Sequence, residues 1–75
     1  MNNCGQITAE ELILRKAQFP VGCRIKLISM EDPYAPKSGS LGTVTNIDPF
    51  GDLEVDWDCG SKLKVIYGVD NVVRL

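Results

Sequence analysis

Apolar positions recur along this chain with two different periods. From residue 7 to 19, in ITAEELILRKAQF, they fall three and four residues apart, and from Cys23 onward they alternate every second residue. The first spacing belongs to a helix and the second to strands. Thr8 followed by Glu11 makes a capping box that satisfies two orphan backbone donors, and Ile7 and Leu12 stand where a hydrophobic staple would. Glu10 and Glu11 lie in the first turn and Arg15 and Lys16 later, the favourable sense for the helix dipole. These signals predict a helix over 9–18, ended by Pro20, which pushes the residue before it out of the α region. Ala9, Leu12, Ile13 and Ala17 share one face. That face must pack on something, because so short a helix is marginal alone. Residues 1–6 read as a flexible polar tail, 7–18 as the helical segment, and 19–75 as the β domain.

Five alternating runs follow: CRIKLISM, GTVTNI, LEVDW, SKLKVIY and VVRL. In the first, Cys23, Ile25 and Leu27 oppose Arg24, Lys26 and Ile28. DPFGD between the second and third predicts a type I turn closed by a left-handed Gly51, and DCG predicts a three-residue hairpin loop with Gly60 left-handed. GVDN is a tight turn. The second hairpin has a self-consistent register. With Trp57 opposite Ser61, Asp56 meets Lys62, Glu54 meets Lys64, Val55 meets Leu63 and Leu53 meets Val65. Opposite charges then lie on one face and apolar side chains on the other. Trp57 is therefore predicted to be buried. The same count puts Thr43, Thr45 and Ile47 on the Trp57 face and Val44 opposite. Burying both Val44 and Ile47 requires a bulge near Thr45–Asn46 or a strand that bends between two halves of a barrel.

Five short antiparallel strands with a long first loop predict a mainly β fold, a small five-stranded SH3-like barrel with a short N-terminal α-helix. A barrel removes exposed sheet edges. Composition limits what such a domain does. With 75 residues it is one small domain, and its 44% hydrophobic content is that of a globular chain. Eight basic and ten acidic residues leave a net charge of −2, which excludes a nucleic-acid binder relying on a general positive field. No apolar run approaches the ~18 residues that span a bilayer. The first residues lack the basic and apolar regions of a signal peptide, so a cytoplasmic location is expected, with no membrane partner. Cys4, Cys23 and Cys59 are odd in number and widely spaced, and histidine is absent. That pattern fits neither a disulfide framework nor a zinc site, and no cofactor is expected.

Residues 19–75 resemble a small family of bacterial and phage domains catalogued only as a domain of unknown function. The matching stretches are FPVGCRIKLISMEDPYAP, GSLGTVTNIDPFGDLEVDWDCGSKL and YGVDNVVRL. The pattern G-x-x-G-x-V from Gly39 to Val44, with V-x-W-D-x-G from Val55 to Gly60, is also similar to broader SH3-like and KOW-type barrels. The resemblance implies an SH3-like fold and an origin in bacteria or their mobile elements, and it brings no activity with it. Two departures bear on ligands. Peptide-binding SH3 domains place their key tryptophan at the start of the third strand, whereas Trp57 ends it. KOW-type nucleic-acid binders carry basic loops, whereas the first loop here holds Glu31, Asp32 and one Lys37.

The chain shows no catalytic constellation: no histidine base, no nucleophile elbow and no phosphate-binding glycine loop. An enzyme is not expected. Asp52, Glu54, Asp56 and Asp58 form an acidic stripe, which the lysines across the hairpin mark as a salt-bridged sheet face. The loop EDPYAPKSGSLG is the stronger candidate. Its glycines and prolines serve turns and stiffness. Tyr34, between two prolines, has no evident core partner, although it could fold back over Trp57. An aromatic on a stiff loop beside acids is a common protein-recognition hot spot. The expected function is thus a non-enzymatic protein-binding module using Glu31, Asp32, Tyr34 and Lys37. The alternative is nucleic-acid binding through a local patch of Arg24, Lys26, Lys62, Lys64 and Arg74.

Overall fold

The computed structural model describes residues 6–75; Cys4 and nearly all of the polar tail lie outside them. One helix, α1 (Ala9–Gln18), precedes four strands, β1 (Arg24–Ser29), β2 (Leu41–Ile47), β3 (Leu53–Trp57) and β4 (Asn71–Arg74). The strands form one antiparallel sheet in the order β3-β2-β1-β4. The protein is therefore a small, mainly β domain with one short helix.

Both ends of α1 follow from local chemistry. The Glu11 N–H donates to Thr8 Oγ1 at 3.1 Å, and the Thr8 N–H donates to Glu11 Oε1 at 2.9 Å, the two halves of a capping box. At the other end the Phe19 N–H still reaches the Arg15 carbonyl at 2.8 Å before Pro20 breaks the run. The face that docks differs from the apolar stripe expected. Leu12 packs against the core and Phe19 is buried, but Ile13 is 68% exposed and Ala9 and Ala17 are also open to solvent. Between Leu12 and Phe19 the half-buried position is Arg15. Its Nε donates to the Gly51 carbonyl at 2.6 Å, and its guanidinium stands 5.3 Å from the Phe19 ring centre and 5.1 Å from that of Tyr67. An arginine held between two rings takes a place that hydrophobic periodicity reserves for an apolar residue.

The core is formed by Phe19, Ile25, Leu27, Val44, Ile47, Leu53, Val55, Trp57 and Val65. Alternation in β1 and β3 places these side chains on one side. In β2 the register slips between Val44 and Asn46: Val44 pairs with Val55, but Asn46 pairs with Glu54 and Ile47 with Leu53. This bulge at Thr45 buries both Val44 and Ile47, and it turns Thr43 and Thr45 away from the Trp57 face on which a regular strand would put them. Gly42 then lies directly opposite Trp57. A Cβ there would stand 2.9 Å from Trp57 Cε3 and 2.7 Å from Val55 Cγ1, so only glycine leaves room for the indole.

The fourth expected strand, 61–67, does not form as a strand. Its register holds at both ends, through the Trp57 N–H to the Ser61 carbonyl at 3.2 Å and a reciprocal pair of bonds between Leu53 and Val65 at 2.9 Å. The middle rung is missing because Trp57 Nε1 takes the Leu63 carbonyl at 2.9 Å. A buried indole needs an acceptor, and it claims the one that the ladder would have used. Leu63 is accordingly only half-buried. The result is an open four-stranded sheet with an extended segment along β3, where five strands were expected.

Candidate functional site

The loop from Glu31 to Ser40 joins β1 to β2 and is tied down along its length. The Tyr34 N–H donates to Asp32 Oδ1 at 2.7 Å and the Ala35 N–H to the Asp32 carbonyl at 3.1 Å, an aspartate-built turn. Ser38 Oγ donates to the Ile28 carbonyl at 2.8 Å, and the Gly39 N–H to the Leu27 carbonyl at 2.7 Å. At the loop's entrance the Glu31 N–H donates to Asp70 Oδ1 at 2.8 Å, while Asp70 Oδ2 accepts from the Ile66 N–H at 2.8 Å. Among the described residues Asp70 is the one buried charged side chain. It clasps the first loop to the turn before β4. The four loop residues singled out from the sequence thus separate by role. Asp32 builds the turn. Glu31, Tyr34 and Lys37 are exposed, and Tyr34 is 85% exposed instead of lying over Trp57.

A family model described as a domain of unknown function, DUF4314, matches residues 8–75. The chain belongs to that family. No curated protein and no solved structure gave a significant match.

In this DUF4314 domain the alternative basic patch is largely engaged. Arg24 grips Asp58 with both terminal nitrogens, at 2.8 and 2.5 Å, and also reaches Thr43 Oγ1 at 2.9 Å. That hydrogen-bonded pairing raises the Arg24 pKa and lowers that of Asp58. Lys62 binds Asp56 at 2.6 Å, as the register predicts. Lys64 binds Asp48 at 3.1 Å and not Glu54, whose carboxylate instead accepts from Asn46 Nδ2 at 3.3 Å. The Asp48 carboxylate is the better partner because it is already oriented, with Oδ1 accepting the Phe50 and Asp52 N–H groups at 3.0 Å each. Burial pushes the Asp48 pKa up, but the Lys64 ammonium and these N–H donors outweigh it and hold the carboxyl below its ordinary value. Lys26 and Arg74 have no carboxylate partner among the described residues.

The acidic stripe is spent on structure in the same way. Asp52 accepts the Tyr67 N–H at 2.9 Å, and Glu54, Asp56 and Asp58 have the partners just named. Among the described residues no three His, Cys, Asp or Glu side chains come together to hold a metal ion. Cys23 and Cys59 are free thiols, half-buried and exposed respectively. A shallow groove of about 260 Å³ runs past Lys16, Phe19, Val21, Asn46 and Ile47. Among the described residues no helix is long and apolar enough to cross a membrane.

Two residues that organise the domain escaped the sequence reading. Asp70 stood in a turn motif, where aspartate already has a local explanation, and nothing in its neighbourhood pointed to Glu31. Arg15 looked like a dipole-complementing surface cation.

Proposed function

We propose that this domain is a non-enzymatic protein-binding module whose contact surface is the loop at 31–40, with Tyr34 at its centre. The observation that carries the reading is a contrast within the loop. The backbone around Tyr34 is held by Asp32, Asp70 and β1, while its ring is left almost wholly in solvent. An aromatic presented on a pre-ordered loop loses little entropy on binding, and such residues dominate interface energetics. Glu31 and Lys37 flank it as polar rim groups suited to a partner of basic or mixed surface. The fold reading that accompanies this proposal is an SH3-like barrel. It is supported by the chain order, by segment 61–65 lying along β3, and by the Asp70 clasp between the first loop and the turn before β4. A bacterial or phage source and action in the cytoplasm belong to the same reading, the latter supported by the two free thiols.

The nucleic-acid alternative is weaker, because three of its five cations are already bound to carboxylates that DNA or RNA would have to displace. The test is Tyr34→Ala. With partner captured from the native host, binding should weaken by about 2 kcal/mol or more and the melting temperature should stay unchanged. Amide shifts on partner addition should centre on 31–38. A stability loss with binding intact would make the loop a mere lid. Shifts centred on 54–64, with a steep salt dependence, would favour the nucleic-acid reading.

A further inference from the structure

Strand β4 ends the sheet and pairs on one side only, with β1. Asn71, Val73 and Arg74 are exposed and Val72 is half-buried. The register settles which way each peptide group points. The Leu75 N–H donates to the Arg24 carbonyl at 3.0 Å, so residue 75 and, two back, residue 73 turn their backbone groups toward β1. Val72 and Arg74 therefore present N–H and C=O to the open side, where no element of the described residues pairs with them.

The side chains along this edge are apolar and basic. Val73 is 44% exposed and Leu75 64% exposed, and Lys26 lies directly across from Val73 on the same sheet face. Arg74 projects from the opposite face, where its guanidinium reaches only the Gln18 carbonyl, at 3.5 Å. Lys26 and Arg74 are the two patch cations with no carboxylate partner among the described residues. β4 is a short edge of four residues that contains no proline, and its one charged side chain is Arg74.

We infer that the β4 edge is a strand-addition site for an extended acidic–apolar segment of a partner protein, separate from the Tyr34 loop. The segment runs antiparallel, exchanges backbone hydrogen bonds with Val72 and Arg74, sets an apolar side chain beside Val73 and a carboxylate beside Arg74. Backbone bonds supply the affinity, and the alternation of side chains supplies the selection. A second copy of this chain suits the edge less well. In a two-fold pairing Val73 faces its own copy, and the two Arg74 side chains become diagonal neighbours about 7–8 Å apart. Two Lys26 ammoniums then join them on one sheet with no carboxylate in balance.

The experiment titrates the isotopically labelled full chain with an end-blocked heptapeptide of alternating glutamate and valine, against a matching lysine–valine peptide. At saturation, amide exchange should slow by at least about tenfold at Val72 and Arg74. Val73 and Leu75, already bonded to β1, should not change. The lysine–valine peptide should bind at least about tenfold more weakly. Arg74→Glu should reverse that preference while Trp57 emission stays native, and Tyr34→Ala should leave peptide binding unaltered. The inference is overturned by any of three results: no shift at 71–75 with about 1 mM peptide, equal binding of the two peptides, or protection of Val72 and Arg74 that grows with protein concentration alone.

Discussion

Replacing Gly42 by alanine adds one methyl group at the most crowded point of the domain. The new Cβ would stand 2.7 Å from Val55 Cγ1, 2.9 Å from Trp57 Cε3 and 3.2 Å from the Asp56 carbonyl oxygen. None of the three can yield cheaply. Val55 and Trp57 are 3% and 2% exposed, and the indole is anchored through Nε1 to the Leu63 carbonyl. Overpacking of this kind costs about 1–3 kcal/mol. Against it, alanine restricts the unfolded chain, and Gly42 does not occupy the positive-φ region that would penalise a side chain. That gain is about 0.4–1 kcal/mol. Sterics win, and the net loss should be about 1–2 kcal/mol, or about 5–15 °C in Tm for a domain of this size. Urea titration followed by Trp57 fluorescence measures it, with an unchanged m-value as the sign that only stability moved. Removing one offending atom gives an internal check. In a Val55→Ala background the Gly42→Ala penalty should shrink, a coupling expected only of residues in contact. A Gly42→Ala variant as stable as the parent would refute the packing of Trp57 against β2 and with it the register derived for that hairpin.

Asp70→Asn keeps the shape of the clasp but leaves one oxygen to serve two N–H donors, so either Glu31 or Ile66 faces an amide NH2. It should cost about 1–3 kcal/mol and speed amide exchange across 31–38, whereas unchanged exchange there would mean that the loop is held by other bonds. Stability should also fall in acid. The folded-state pKa of Asp48 is held below its ordinary value, as is that of Asp58. Their contribution is therefore fully present above about pH 4 and is lost as pH drops through the folded values. Asp48→Asn should flatten the acid limb of a Tm-versus-pH curve, and an unaltered limb would assign the acid loss to other carboxylates.

Much of the local structure was legible in the chain itself. The capping box at Thr8, the stop at Pro20, the left-handed Gly51 and Gly60, the Trp57 hairpin register and the need for either a bulge near Thr45–Asn46 or a bend in the second strand all rest on spacings of a few residues. At that range backbone geometry leaves few solutions. Exposure of Tyr34 also matched its isolation between prolines. Other outcomes depended on which groups meet in space, and no spacing encodes that. Arg15 docks the helix because folding brings Tyr67 and Gly51 beside it. Lys64 leaves its cross-strand Glu54 for an Asp48 carboxylate already oriented by two N–H groups. Segment 61–67 loses its middle rung because the buried Trp57 indole requires the Leu63 carbonyl. Asp70 reaches back to Glu31 only once β4 has paired with β1, and the bare edge of β4 exists because the sheet stops there. Alternation settled which side chains share a face; competition among donors and acceptors in the folded core settled which of them bond.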